Sequence, residues 1–165
     1  MHGMATTLAA TAGSTGSATR AMQAIVAAGL VCGTLDAISA RIVSGAPWMR
    51  ISQFIASGVL GPDSFKGGMR TAVLGTVLHY TIAFGATIVF FAASRFMPAL
   101  LDRALLFGPL YGLCVHLFMQ FAVLPMSAIG RRPITARGFL TQLAVHMIVV
   151  GPSIALTLRS VLRRA

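Results

Sequence analysis

The sequence predicts an all-α integral membrane protein, a four-helix bundle with a short interfacial amphipathic helix between helices 1 and 2. Three observations carry this expectation. Hydrophobic residues make up 56% of the 165 residues and the mean hydropathy is +0.84. The acidic residues are only Asp36, Asp63 and Asp102, and a soluble domain with so few charges could not cover its surface, so most of that surface must face lipid. Four apolar runs, separated by turn-forming residues, reach the ~20 residues that a helix needs to cross a bilayer.

The elements follow in order. Residues 1–20, MHGMATTLAATAGSTGSATR, are rich in Ala, Thr, Ser and Gly. They lack the basic start and apolar core of a signal peptide and predict a flexible N-terminal tail. The remaining residues, 21–165, form a single transmembrane domain. Its first span covers about 21–43 and stops at Ser44-Gly45-Ala46-Pro47, a turn signal.

The next segment, PWMRISQFIASGVL at about 47–60, is too short to span. Arg50, Gln53 and Ser57 recur at intervals of three and four, opposite a stripe of Trp48, Ile51, Ile55 and Val59. That pattern describes an amphipathic helix lying in the interface, with Trp48 and Arg50 as head-group anchors; a re-entrant helix is the alternative. After Gly61-Pro62-Asp63 the second span covers about 69–93, Met97-Pro98 leads to a third over 104–124, and a loop from Pro125 to Arg137 leads to a fourth over 139–157. Arg131 and Arg132 in that last loop are further anchors to anionic head groups.

The net charge of +10 does not indicate nucleic acid, because the thirteen basic residues punctuate the apolar runs instead of forming one stripe. They divide six to seven between the two faces of the bundle, which leaves the membrane orientation open. The lipid bilayer is the partner that this charge pattern implies.

Each span carries one ionisable residue: Asp36, His79, His116 and His146. Counted from the face that bears the first and third loops, Asp36 lies eight residues from Ser44, His79 nine from Arg70, His116 eight from Leu124 and His146 eight from Gly138. At helical rise each sits roughly 12–14 Å below one surface. Small residues mark the inward faces, since membrane helices approach one another along Gly and Ala stripes. Gly29 and Gly33 precede Asp36, Gly75 precedes His79, and Gly108 and Gly112 precede His116 at intervals of four. An ionisable group facing lipid at this depth costs about 2.5–3.5 kcal/mol, so the four residues are expected to point inward as one polar layer.

Such a layer suits several chemistries. Three imidazoles and a carboxylate are an inventory for a divalent metal. Two of the histidines would suit a b-type haem, with Gly75 and Gly112 making room for the macrocycle. Intramembrane Asp and His also mark proton or ion paths, which Tyr80, Gln120 and Gln142 would extend, and Cys32, one turn from Asp36, is a soft supporting ligand. The plainer expectation is that the layer hydrogen-bonds the helices together, each bond worth around 0.6 kcal/mol, in an accessory, assembly or structural membrane protein. Four helices would need a homodimer or a larger complex to enclose a pathway. No catalytic triad or carboxylate pair can be assembled, so no enzyme is expected.

The second-span histidine His79, the stretch GLCVHLFMQFAVLPMSAIGRRP with His116, and LAVHMIVVG with His146 together resemble the YagU-like family of small bacterial inner-membrane proteins. The resemblance runs from about Gly29 to the C-terminus. It implies a multi-pass protein of the bacterial inner (cytoplasmic) membrane and no particular reaction. The first loop departs from it, since the amphipathic segment stands where a longer connection is expected.

Overall fold

A computed structural model describes residues 2–130, 133 and 135–163, and among these it contains helices and no strands. Four helices are long and apolar enough to cross a membrane. Helix α1 covers His2–Ser44. It stops where Gly45 adopts a positive φ of 65° and its N–H donates to the Arg41 carbonyl at 3.0 Å, the left-handed cap that glycine accepts without strain. Helix α2, Trp48–Leu60, starts directly after Pro47 and ends at Gly61, again with positive φ. A 3-10 turn, Gly61–Lys66, leads into α3, Gly68–Phe96. The short α4, Ala99–Asp102, follows Pro98. The last two spans are α5, Ala104–Met126, and α6, Ala136–Leu162, the latter capped by Thr135, whose Oγ1 accepts from the Gly138 N–H.

Helix α1 begins at His2 and so runs through residues 2–20. The alanines at 5, 9, 10, 12 and 18 favour helix intrinsically, and joining an existing helix avoids the cost of nucleation. The apolar, span-length part of α1 is Gly16–Ser44.

Both α5 and α6 contain a π-turn, at Met119–Val123 and His146–Val150, each ending two residues before a proline, Pro125 and Pro152. A proline ring crowds the carbonyl four residues earlier and offers no N–H to it. A wider turn ahead of the ring relieves that crowding.

The bundle is assembled on glycine. Helix α1 packs against α3 and α6, α5 against α6, and α2 against α3. The rings of Phe84 and Tyr80 seat on Gly29 and Gly33, leaving no room for a Cβ. In the α5/α6 seam Gly112 meets the backbone carbonyl of His146, Gly151 meets the carbonyl of Gly108, and a Cβ on Gly108 would stand 2.9 Å from Pro152 Cα. Between α2 and α3, Gly75 meets the carbonyl of Ser52. With no hydrophobic drive between helices in lipid, close backbone approach supplies the dispersion contacts that hold them. The apolar core collects Ala24, Ala28 and Cys32 of α1, Phe90 of α3, and Ile154 and Leu158 of α6. Tyr111 of α5 closes it by donating to the Ala86 carbonyl at 2.7 Å.

In helix α2 the polar residues Gln53, 1% exposed, and Ser57 turn inward, while Arg50 stays exposed together with Trp48, at 53%, and Val59, and Ile51 and Ile55 are half-buried. Gln53 Nε2 donates to the Gly68 carbonyl at 3.0 Å, and Ser52 Oγ lies 3.1 Å from Thr76 Oγ1. The reason is the medium: hydrocarbon offers no hydrogen bonds, so polar side chains find their partners in the protein.

Candidate functional site

The four intramembrane residues come together as two pairs. Asp36 and His79 share the seam between α1 and α3, with Oδ2 of the acid 4.0 Å from Nδ1 of the imidazole. His79 donates its Nε2–H to the Gly33 carbonyl at 2.7 Å. The next residue, Tyr80, places its hydroxyl 3.0 Å from Thr34 Oγ1 and its ring edge-on to His79. Every polar atom named here has a neighbour across the same seam.

His116 and His146 share the α5/α6 seam. Their ring centroids are 5.1 Å apart and the planes are tilted by 60°. His146 donates its Nδ1–H to the Gln142 carbonyl, one turn earlier, at 2.8 Å. His116 is 2% exposed, and its Nε2 is buried without a hydrogen-bond partner among the described residues. Phe139 meets the His116 ring edge-on at 4.8 Å. The π-turns place these histidines: one begins at His146 and the other three residues after His116.

A cleft of about 500 Å3 lies between the loop-side halves of α5 and α6, lined among others by Phe54, Phe121, Phe139 and the amide residues Gln120 and Gln142. Phe139 stands between the cleft and His116. Beyond the histidines, the contacts of Gly112 and Gly108 with His146, Gly151 and Pro152 bring the two backbones together. The third-loop residues Ile129, Gly130, Pro133 and Thr135 thus line the cleft, and the glycine seam bounds it beyond the histidines.

Two expectations change. The contacts among the four residues are pairwise, since α1 carries Asp36 to His79 of α3 and α6 carries His146 to His116 of α5. Among the described residues no three His, Cys, Asp or Glu side chains converge as metal ligands, so the four-ligand metal centre does not form. The space assigned to a haem is absent as well: Gly112 is filled by α6 backbone and Gly75 by α2 backbone, so these residues do not fit a macrocycle.

The supporting residues divide similarly. Cys32 is packed in the apolar core beside Ser153. Tyr80 belongs to the α1/α3 seam, and Gln120 and Gln142 line the cleft. Of the anchors, Trp48 is exposed and the Arg50 guanidinium lies 4.7 Å over the Phe65 ring. Arg131 and Arg132 lie outside the described residues. The loop acids are occupied elsewhere, Asp63 by Lys66 at 2.9 Å and Asp102 by Arg163.

Sequence reasoning missed Phe139 and the cleft. The signal was present, since Phe139, Gln142 and His146 at intervals of three and four lie on one helix face. Searches against family models, curated proteins and solved structures return no match for this chain.

Proposed function

We propose that this multi-pass membrane protein binds a cation, in the form of a proton, at the His116–His146 pair. The observation that carries the reading is the buried Nε2 of His116, which has no partner among the described residues and lies beside a second imidazole. Buried polar groups are nearly always satisfied, and an exception calls for a functional or ligand-based account. With its Nδ1–H committed to Gln142, a neutral His146 keeps a lone pair on Nε2. A proton added to His116 makes both of its ring nitrogens donors, so that its buried Nε2 carries a hydrogen to offer. The cleft reaches Phe139, which contacts the His116 ring. Movement of the proton farther, across the bilayer, requires the glycine seam to part.

The same proposal includes kinship with the YagU-like proteins and residence in a bacterial inner membrane among anionic lipids, on the residues that carry that resemblance. A homodimer would extend the polar surface beyond one bundle. A structural role is the second reading, favoured for Asp36 and His79 because His79 is hydrogen-bonded to α1 backbone and faces a carboxylate.

The test is an acid jump on detergent-solubilised protein in weakly buffered solution containing a pH dye, which reads protons bound, combined with 15N NMR of histidine-labelled protein. Wild type and His79→Gln should show proton uptake, and His116→Gln and His146→Gln should lose it together. Traces that are identical for wild type and His116→Gln would defeat the proposal and leave the accessory role for both pairs.

A further inference from the structure

The α1/α3 seam is short of one hydrogen. His79 Nε2 lies 2.7 Å from the Gly33 carbonyl oxygen, and a carbonyl only accepts, so this nitrogen carries a hydrogen. In a neutral imidazole the other nitrogen, Nδ1, is then a bare lone pair. The ionic neighbour of Nδ1 is Oδ2 of Asp36 at 4.0 Å, and an ionised carboxylate is also an acceptor only. Without a further hydrogen, two acceptors stand opposite each other in the middle of a membrane span.

The groups around the pair do not supply that hydrogen. Among the described residues Asp36 accepts no hydrogen bond and has no arginine or lysine within 4.0 Å. The Tyr80 and Thr34 hydroxyls are paired with each other at 3.0 Å. The Cys32 thiol, one turn before Asp36, is engaged with Ser153 of α6. His146 of α6 is turned to Gln142 and His116, and Arg50 of α2 lies over the Phe65 ring. An ionised carboxylate at this depth with no donor is costly, and intramembrane charges persist by pairing. One proton resolves both atoms. On Nδ1 it makes an imidazolium beside a carboxylate; on Oδ2 it leaves two neutral groups.

We infer that Asp36 and His79 hold one proton between them at neutral pH, which gives the bundle a second proton site in the α1/α3 seam, separate from the His116–His146 pair. The proton comes from the aqueous phase, and no other bond changes. At 4.0 Å it resides on one atom and is not shared in a short hydrogen bond. The inference is independent of whether His116 takes a proton. A single water donating one hydrogen to each acceptor is the competing occupant.

The experiment uses full-length protein in phosphatidylcholine nanodiscs at neutral pH. Histidine labelled with 15N reads both ring nitrogens of His79, assigned by the signals lost in His79→Gln, and infrared spectra of 13C-aspartate-labelled wild type read the un-ionised carboxyl band. One of two results is expected: His79 with hydrogen on both nitrogens and Asp36 ionised, or His79 neutral and Asp36 un-ionised. Asp36→Asn, whose new amide N–H can donate to Nδ1, should leave His79 neutral with its hydrogen on Nε2 and remove any un-ionised carboxyl band. Neutral His79 together with ionised Asp36 would overturn the inference and assign the gap to water. A doubly protonated His79 that persists in Asp36→Asn would overturn it as well, since the charge would not belong to the pair. If Asp36→Asn does not fold, the two wild-type spectra alone decide between one proton and none.

Discussion

The glycine seams make a graded prediction about alanine substitution. In an isolated helix Gly→Ala is favourable by about 1 kcal/mol, because alanine surrenders less backbone freedom on folding. At Gly112 that gain is opposed by geometry: the new Cβ would fall on the His146 carbonyl oxygen, and a carbonyl held in a helix cannot swing aside. Helices α5 and α6 would have to separate by over an ångström along the seam to reach ordinary contact. Overpacking of this kind costs roughly 1–3 kcal/mol or more, so Gly112→Ala should be net destabilising despite its propensity gain. Gly33→Ala should be milder, since its Cβ would meet the Tyr80 ring at 2.7 Å and a side chain can rotate. Gly85→Ala, with nothing within 4 Å, should be neutral or stabilising by up to about 1 kcal/mol. Thermal unfolding of the three variants in one detergent, followed by helical circular dichroism, measures the order. If Gly112→Ala unfolds at or above the wild-type temperature, the seam is not a backbone contact and the closure of the cleft fails with it.

Two further outcomes follow from other parts of the bundle. Trp48, the single tryptophan of the chain, lies on the outward apolar side of α2 and should be strongly quenched by lipids brominated on their acyl chains; emission unaffected by bromine would place α2 off the hydrocarbon. The Asp102–Arg163 pair joins α4 to the end of α6 with both side chains about half exposed, so Asp102→Asn should cost no more than ~1 kcal/mol of unfolding free energy, and 1 M salt should erase the difference. A loss that salt leaves untouched would count against a solvent-screened pair.

The sequence makes axial position legible and leaves azimuth mostly hidden. Span length, breaker residues and a count of residues from the loop face put Asp36 level with His79 and His116 level with His146. They do not say which spans are neighbours. That depends on α1 lying between α3 and α6, a choice made by where Gly29, Gly33, Ala24 and Ala28 find matching surfaces. The α2 pattern shows the same division. The stripe of Trp48 and Val59 is visible in the letters, but the rule learned from water-facing helices points the polar side outward, and hydrocarbon reverses it. The π-turns had a signal in Pro125 and Pro152, yet a proline alone does not distinguish a kink from a widened turn. The cleft needed four segments at once, α2, the third loop and the loop-side halves of α5 and α6, and no local window contains that information.

The contact between Gly112 and the carbonyl of His146 sets how the histidine pair can respond. His146 hangs from a main-chain atom pressed against α5, so its imidazole has a fixed pivot and only its own torsions to use. Side-chain rotation in a protein is a fast event, whereas sliding one helix past another takes microseconds to milliseconds. A change of charge on the pair should therefore be answered first by the rings and by Phe139, in place, with the helices following only if the pivot itself is released.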